Sequence, residues 1–220
     1  MSATTKRGAP DAMSSPRITT HWSRIESPFG PLLAAAGDDG LLALTFLAGA
    51  QAQAVAAQLA LRLGTTMVED PPALLGVAAQ VAEYRAGDRR RFDLDLDPRL
   101  MPEGFGRRVL DATRQLPHGA VTTYADVAMR AGAPQGARAA GSALARNPLQ
   151  LVIPCHRVVR SDGSPGGYAG GADCKAALLA HESQPHKRRS GRRHAGRMIE
   201  HHKPECHTAR RSIAVPHDRS

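Results

Sequence analysis

The chain has 220 residues, 42% of them hydrophobic and 22% charged. That balance suits an ordinary globular protein with material for one large core or two small ones. No apolar run approaches the roughly 18 to 20 residues of a membrane span, and the first twenty residues lack the apolar stretch of a secretory signal. A membrane protein is excluded, and the cytoplasm is the expected compartment.

Cys155, Cys174 and Cys206 are the three cysteines. An odd count with no CxxC pair argues against a disulfide framework and against a multi-cysteine zinc site, and leaves room for one reactive thiol.

The formal net charge of +9 suggests a nucleic-acid partner until its location is examined. Residues 183 to 220 hold ten Lys/Arg against three Asp/Glu, and residues 1 to 19 hold three against one. What remains between them is balanced, sixteen basic and sixteen acidic residues. Within that part, residues 20 to 100 lean acidic and 101 to 182 lean basic, seven against ten and nine against six. A phosphate backbone is therefore expected to meet the second half.

In chain order, residues 1 to 19 lack periodicity and read as a disordered extension. From His21 to Phe46, short apolar runs are separated by Ser-Pro-Phe-Gly-Pro and Gly-Asp-Asp-Gly, the punctuation of a β-meander. Residues 51–63 and 73–86 are alanine-rich and helical in composition, and Phe92–Asp97 alternates strictly with period two, as a strand does. Residues 20–99 thus read as a small α/β domain.

After the linker from Pro98 to Gly104 the pattern turns helical, with helices expected at Phe105–Gln115, Tyr124–Ala131, Gly136–Arg146 and Cys174–Glu182. Thr123 and Asp126 have capping-box spacing and fix the start of the second. The second and third, joined by Gly132-Ala133-Pro134-Gln135, have helix-turn-helix proportions, which many helical cores also show. Residues 100–183 form this second domain, and residues 184–220 read as a basic disordered tail. No repeat of 20 to 50 residues is present.

The chemistry concentrates in Asn147 to Val159, where an apolar run stops at Pro154 and Cys155 and His156 follow. Free cysteine is often only a small buried hydrophobe, so the dipeptide alone decides nothing. Its setting does. Ile153-Pro154-Cys155-His156-Arg157-Val158, Ala137-Arg138-Ala139-Ala140-Gly141, Arg146-Asn147-Pro148, Gly167-Tyr168-Ala169-Gly170-Gly171, and Lys175 with Leu178-Leu179 and His181-Glu182 resemble the O6-alkylguanine-DNA alkyltransferases. Weaker echoes at Gly119–Tyr124, Tyr84–Gly87 and Ser27–Leu32 extend the resemblance to about residues 22 to 183.

The resemblance implies an α+β protein, with a ribonuclease-H-like N-terminal domain and a helical C-terminal domain whose helix-turn-helix enters the minor groove of double-stranded DNA. It implies Cys155 as alkyl acceptor, His156 as a base acting through water, Glu182 as the group orienting His156, and Asn147 as a brace for the cysteine turn. It also implies that Arg138 fills the gap left by a flipped alkylated base. Tyr124 and Ala137 would lie near that nucleotide, and Val158, Tyr168 and Ala169 near the pocket. A monomer without metal or other cofactor is expected. Two positions depart from the family pattern, Ala169 where serine is frequent and Leu110 where an aromatic is common.

Chemical reasoning leads the same way. An unperturbed thiol has a pKa of about 8.5 and is a few per cent thiolate at pH 7, so a nucleophilic cysteine needs a base and an orienting partner. Adjacent side chains diverge in both helix and strand, which makes a direct Cys155–His156 bond awkward and a bridging water natural. Attack on an sp³ carbon builds charge on the leaving guanine, where Tyr124 or loop amides near Tyr168 could donate. The thioether product resists hydrolysis, so each molecule acts once. A stacked base cannot present O6 to a buried thiol and must be extruded, at a cost of a few kcal/mol. The small-residue run Gly136–Ala143 suits close approach to a groove, and equally suits tight helix packing.

Two rivals remain. One is a relative that binds the lesion without transferring the alkyl group, against which Cys155 speaks. The other is a Cys-His hydrolase, against which the Arg138 segment speaks. The tail, with six histidines among its basic residues, either adds DNA affinity by counterion release or is a solvated appendage. His201, His202, Cys206 and His207 lack a visible folded context for a metal. Deleting residues 184–220 is expected to weaken DNA binding at low salt while alkyl transfer persists. An unchanged affinity and salt slope would reject a role for the tail.

Overall fold

The computed structural model describes residues 19–184. The expected N-terminal extension, apart from Thr19, and the expected basic tail, apart from Gln184, lie outside the described residues.

The meander forms as the turn signals suggest. Strands β1 (Thr19–Ile25), β2 (Leu32–Gly37) and β3 (Gly40–Phe46) pair antiparallel in sequence. The β2–β3 hairpin closes on the Gly37↔Gly40 pair. Gly40 has φ +119, and a Cβ there would lie 2.5 Å from the Asp95 carbonyl oxygen, so only glycine fits without a shift. A fourth strand, β4 (Thr66–Glu69), lies parallel beside β1 and gives the order β3-β2-β1-β4. Its four half-exposed or exposed residues carry no apolar alternation, which is why the sequence does not announce it.

Residues 92–97 depart from the strand that their alternation suggests. They are extended but join the sheet only through one parallel bridge, Leu41↔Leu96. The Gln80 side chain, not a neighbouring strand, satisfies the Asp93 backbone, accepting from its N–H at 2.9 Å and donating to its carbonyl at 2.7 Å. The alternation records the packing of Phe92, Leu94 and Leu96 against the core.

Helix α1 (Ala52–Leu63) covers one face of the sheet, setting Ala52, Ala56 and Leu59 against Leu33, Ala35, Leu42 and Ala43. It stops at Gly64, whose left-handed φ of +62 suits glycine. Helix α2 (Leu75–Ala86) follows a 3-10 turn at Pro72–Leu74 and contributes Val77, Val81 and Tyr84 to the opposite face, with Leu32, Ala34, Leu41 and Leu44. That second cluster continues without a break into the helical half. There α3 (Gly104–Arg114), α4 (Tyr124–Arg130), α5 (Ala137–Ala145) and α6 (Ala172–Ser183) add Leu110, Val127, Ala140 and Leu178. A fully buried leucine stabilises by roughly 1.5–3 kcal/mol, so the shared core binds the two halves strongly.

The capping box forms as read. Thr123 Oγ1 accepts from the Asp126 N–H at 3.1 Å, and the Asp126 carboxylate accepts from the Thr123 N–H at 3.2 Å. Two short parallel strands, β5 (Thr122–Thr123) and β6 (Val158–Val159), tie the start of α4 to the chain beyond the cysteine. Among the described residues no helix is long and apolar enough to cross a membrane. Gly40→Ala is expected to destabilise the protein by about 1–3 kcal/mol, read as a lower urea midpoint with an unchanged slope. An unchanged midpoint would show that the Asp95 segment moves aside freely.

Candidate active site

The free edge of β3 supports the loop that carries the cysteine. Leu44 donates its N–H to the Pro148 carbonyl at 2.8 Å and accepts from the Gln150 N–H at 2.7 Å. The Gln150 side chain continues the ladder, accepting from Phe46 N–H and donating to Thr45 Oγ1, both at 3.0 Å. Leu151 is forced to φ +70, an unusual backbone state for a bulky residue and one that surrounding contacts must hold. The chain then folds back through Ile153 N–H to the Leu149 carbonyl at 2.8 Å and enters a 3-10 turn at Cys155–Arg157.

On that turn the neighbouring side chains diverge. Cys155 Sγ accepts from Asn147 Nδ2 at 3.2 Å, and the same amide nitrogen donates to the Ile153 carbonyl at 2.9 Å. Asn147 Oδ1 accepts from the Leu149 N–H at 3.0 Å, so the amide can take only one orientation. Burial pushes the Cys155 thiol above its ordinary value, against the Asn147 hydrogen bond and the charge of Lys175. The resting sulfur is therefore a thiol.

His156 points the other way, fully buried, with Nε2 2.9 Å from Glu182 Oε1. Glu182 is the hub. Its Oε1 also accepts from Arg157 Nη2 and Tyr84 Oη, each at 2.7 Å, and its Oε2 accepts from Arg157 Nε at 2.8 Å and the Gly119 N–H at 3.0 Å. Burial by itself would raise this carboxyl, but the hydrogen bonds and charges of His156 and Arg157 outweigh it and hold it well below the usual carboxylate range. An ionised carboxylate only accepts, so Nε2 of His156 carries the proton and Nδ1 is left with a lone pair. That Nδ1 is buried and has no protein partner. Burial also lowers the imidazole below its ordinary value despite Glu182, so it rests neutral.

Cys155 opens on a cavity of ≈ 930 Å³ whose walls come from α4, α5 and the loop after β6. Tyr124, Ala137 and Arg138 from the helices and Tyr168 and Ala169 from the loop are among its lining residues. The Tyr124 ring lies between two glycines. A Cβ on Gly141 would touch it at 3.7 Å, and one on Gly166 would come within 2.9 Å of its hydroxyl. Lys175 is fully buried and donates to the Val158 and Pro165 carbonyls, pinning the loop to β6. Its ammonium lies 5.6 Å from the Tyr124 ring centre, and burial lowers its pKa to about 8.

The expected residues thus fall into two groups, with Val158 apart from both. Cys155, Tyr124, Ala137, Arg138, Tyr168 and Ala169 share the cavity wall, with Arg138 exposed at its mouth. Asn147, His156 and Glu182 are buried and do not line the cavity: Asn147 donates to the sulfur, and His156 and Glu182 bond each other. Val158 is fully buried outside the lining, where its carbonyl serves Lys175. Sequence reasoning assigned no role to Arg157, Tyr84, Gly119 or Gln150. Arg157 stood within the quoted motif, and Tyr84 and Gly119 within the weaker echoes, but nothing in their spacing shows that all three meet Glu182. Among the described residues no group of three or more His, Cys, Asp or Glu side chains is placed to hold a metal ion. His201, His202, Cys206 and His207 lie outside the described residues.

Two histidines give folding a pH dependence. His156 and His118 are both held below their ordinary values by burial. The unfolded chain therefore binds more protons than the folded one below about pH 6.5, and stability rises with pH through that window. The melting temperature is expected to fall as pH drops from 7.5 towards 5, with a shallower fall in His156→Gln. Identical slopes in the two proteins would show that His156 does not contribute.

Two family models match the chain in succession, the 6-O-methylguanine DNA methyltransferase ribonuclease-like domain over residues 20–98 and the DNA binding domain of the same family over residues 104–184. The methylated-DNA–protein-cysteine methyltransferase of Methanosarcina barkeri is 38% identical over 161 residues, 72% of this chain and 94% of that protein. The protein of the same name from Mycobacterium tuberculosis is 36% identical over 159 residues, 72% of this chain and 90% of its own. The crystal structure of Mycobacterium tuberculosis O6-methylguanine methyltransferase superposes with a TM-score of 0.64 at 36% identity, over 74% of this chain and 93% of that one. The structure of Mycobacterium tuberculosis OGT in complex with DNA gives 0.62 at 34% identity, over 74% and 92%. With a ribonuclease-like N-terminal domain followed by a helical DNA-binding domain, the chain belongs to the 6-O-methylguanine DNA methyltransferase family.

Proposed function

We propose that this protein repairs double-stranded DNA by moving a methyl or other small alkyl group from O6 of guanine, and less readily from O4 of thymine, onto Cys155. One observation carries the reading. The sulfur, braced by Asn147, opens on a cavity walled by the helix-turn-helix, while its neighbour His156 offers an unpartnered Nδ1 and has its Nε2 fixed by Glu182.

The alkylated nucleotide enters from the minor groove, flipped out of the helix, and Arg138 at the mouth of the cavity takes the vacated space. Ala137 and the other small residues of α5 let the helix backbone approach the groove. Tyr124 stands by the extruded nucleotide, and Tyr168 and Ala169 face the base, with Val158 behind them. Ala169 has no hydroxyl, so a donor to the base oxygen at that position is limited to the backbone amide. The thiol proton passes through water to Nδ1 of His156 as sulfur attacks the alkyl carbon. An S–C bond forms, the C–O6 bond breaks, and the electron pair leaves with guanine O6, the base taking up a proton at N1 to restore its C6 carbonyl. The thioether is permanent, and one molecule serves once. The division into domains at residues 20–99 and 100–183, and action as a monomer, belong to the same reading.

Incubating the protein with duplex carrying labelled O6-methylguanine is expected to place label on Cys155 at no more than about one equivalent, since no step regenerates the thiol. Cys155→Ala is expected to bind the duplex and transfer nothing. Turnover well beyond one equivalent would overturn the reading in favour of a Cys-His hydrolase, and binding without any transfer would favour a lesion-binding protein.

A further inference from the structure

We propose that Tyr84, on α2 of the N-terminal domain, is a positioning residue for alkyl transfer: its phenol holds the Glu182 oxygen that fixes the tautomer and orientation of His156. This rests on the function proposed above and extends its machinery into a domain that supplies no residue to the cavity wall.

Three donors share Glu182 Oε1, and Tyr84 is the one contributed from outside the helical half, at 2.7 Å and 98 residues away in sequence. The phenol cannot swing aside. Tyr84 is 1% exposed, and its ring is packed by Phe29, Phe92, His118 and His181, with centroids 5.3 to 6.2 Å away. His181 Nε2 also lies 2.9 Å from the Tyr84 backbone carbonyl. Consecutive residues of α6, His181 and Glu182, therefore clasp both ends of Tyr84, and a shift of α2 against α6 would be felt at the carboxylate. The titratable and charged groups around this contact are His156 and Arg157 on the cysteine turn, Tyr168 in the loop after β6, His181, Cys174 and Lys175 on α6, and His118 in the loop after α3.

A phenylalanine would keep the ring packing and remove only the donor. Without it, the Glu182 carboxylate loses one of its anchors and holds His156 less firmly in the orientation that accepts the thiol proton, while the extra charge it presents raises the imidazole modestly. In the full chain, Tyr84→Phe is expected to fold and to bind lesion duplex with unchanged affinity. Its single-turnover transfer should slow by about three- to tenfold at neutral pH, the worth of one hydrogen bond. The acid limb of its pH–rate profile should move up by about half a unit. In a His156→Ala background the same change should add no further loss. Coincident rates and profiles, or an equal loss without His156, would overturn the proposal, as would a lowered melting temperature with unchanged kinetics. Imidazole nitrogen NMR supplies a readout independent of transfer. The His156 Nε2–H signal should move in Tyr84→Phe, and an unchanged spectrum would overturn the positioning role. Failure of the parent protein to transfer label refutes the proposed function and leaves the NMR comparison to judge Tyr84.

Discussion

A carboxylate removed from water needs donors on its lone pairs, and Glu182 draws five from three stretches of chain far apart in sequence: α2, the loop after α3, and the cysteine turn. Removing any one partner leaves buried charge less compensated, and buried pairs of this kind are costly to break by halves. The arrangement fixes the position of α6 against both halves of the protein. It also decides the chemistry at His156. Because every partner of this carboxylate is a donor, the imidazole can offer its lone pair only from Nδ1.

Electrostatics around the sulfur are balanced rather than extreme. Burial favours the neutral thiol, while Asn147 and Lys175 favour the thiolate, and burial prevails. His156 faces Glu182, whose charge Arg157 already shares through two hydrogen bonds, and here too burial prevails and the ring rests neutral. A neutral thiol beside a neutral imidazole is compatible with the proposed reaction, in which the sulfur is used once. The charged pair is costly to form in a low-dielectric interior, so proton transfer fits best when it accompanies attack on the alkyl carbon.

The N-terminal domain touches this machinery at three places and forms no part of the cavity wall. The edge of β3 hydrogen-bonds the strained loop between Asn147 and Cys155. Phe46 packs against the Tyr168 ring, with centroids 5.9 Å apart. Tyr84 reaches Glu182. The apolar cluster that runs from Leu32 to Leu178 makes these contacts rigid, since a close-packed interior transmits displacement rather than absorbing it. The domain works as a support for three parts of the site: the sulfur loop, the cavity-lining Tyr168 and the carboxylate.

Local order was legible in the chain itself. Turn dipeptides set the meander, alanine-rich runs set α1 and α2, and the Thr123/Asp126 pair set the start of α4, because each depends on neighbours within a few residues. The Cys155-His156 motif and its companions marked the family and singled out Cys155 as the expected acceptor. The sequence was silent on β4, where Met67 alone packs against the core and its three neighbours are exposed, and misleading at Phe92–Asp97, where alternation reflected packing without a strand partner. It did not show that Tyr84, Gly119, Arg157 and His156 converge on one carboxylate, or that Val158 turns its carbonyl to Lys175 rather than joining the cavity wall. Periodicity reports only which side of an element is apolar. Which buried donor meets which acceptor across 98 residues depends on how α2 and α6 pack, and tertiary structure alone decides that.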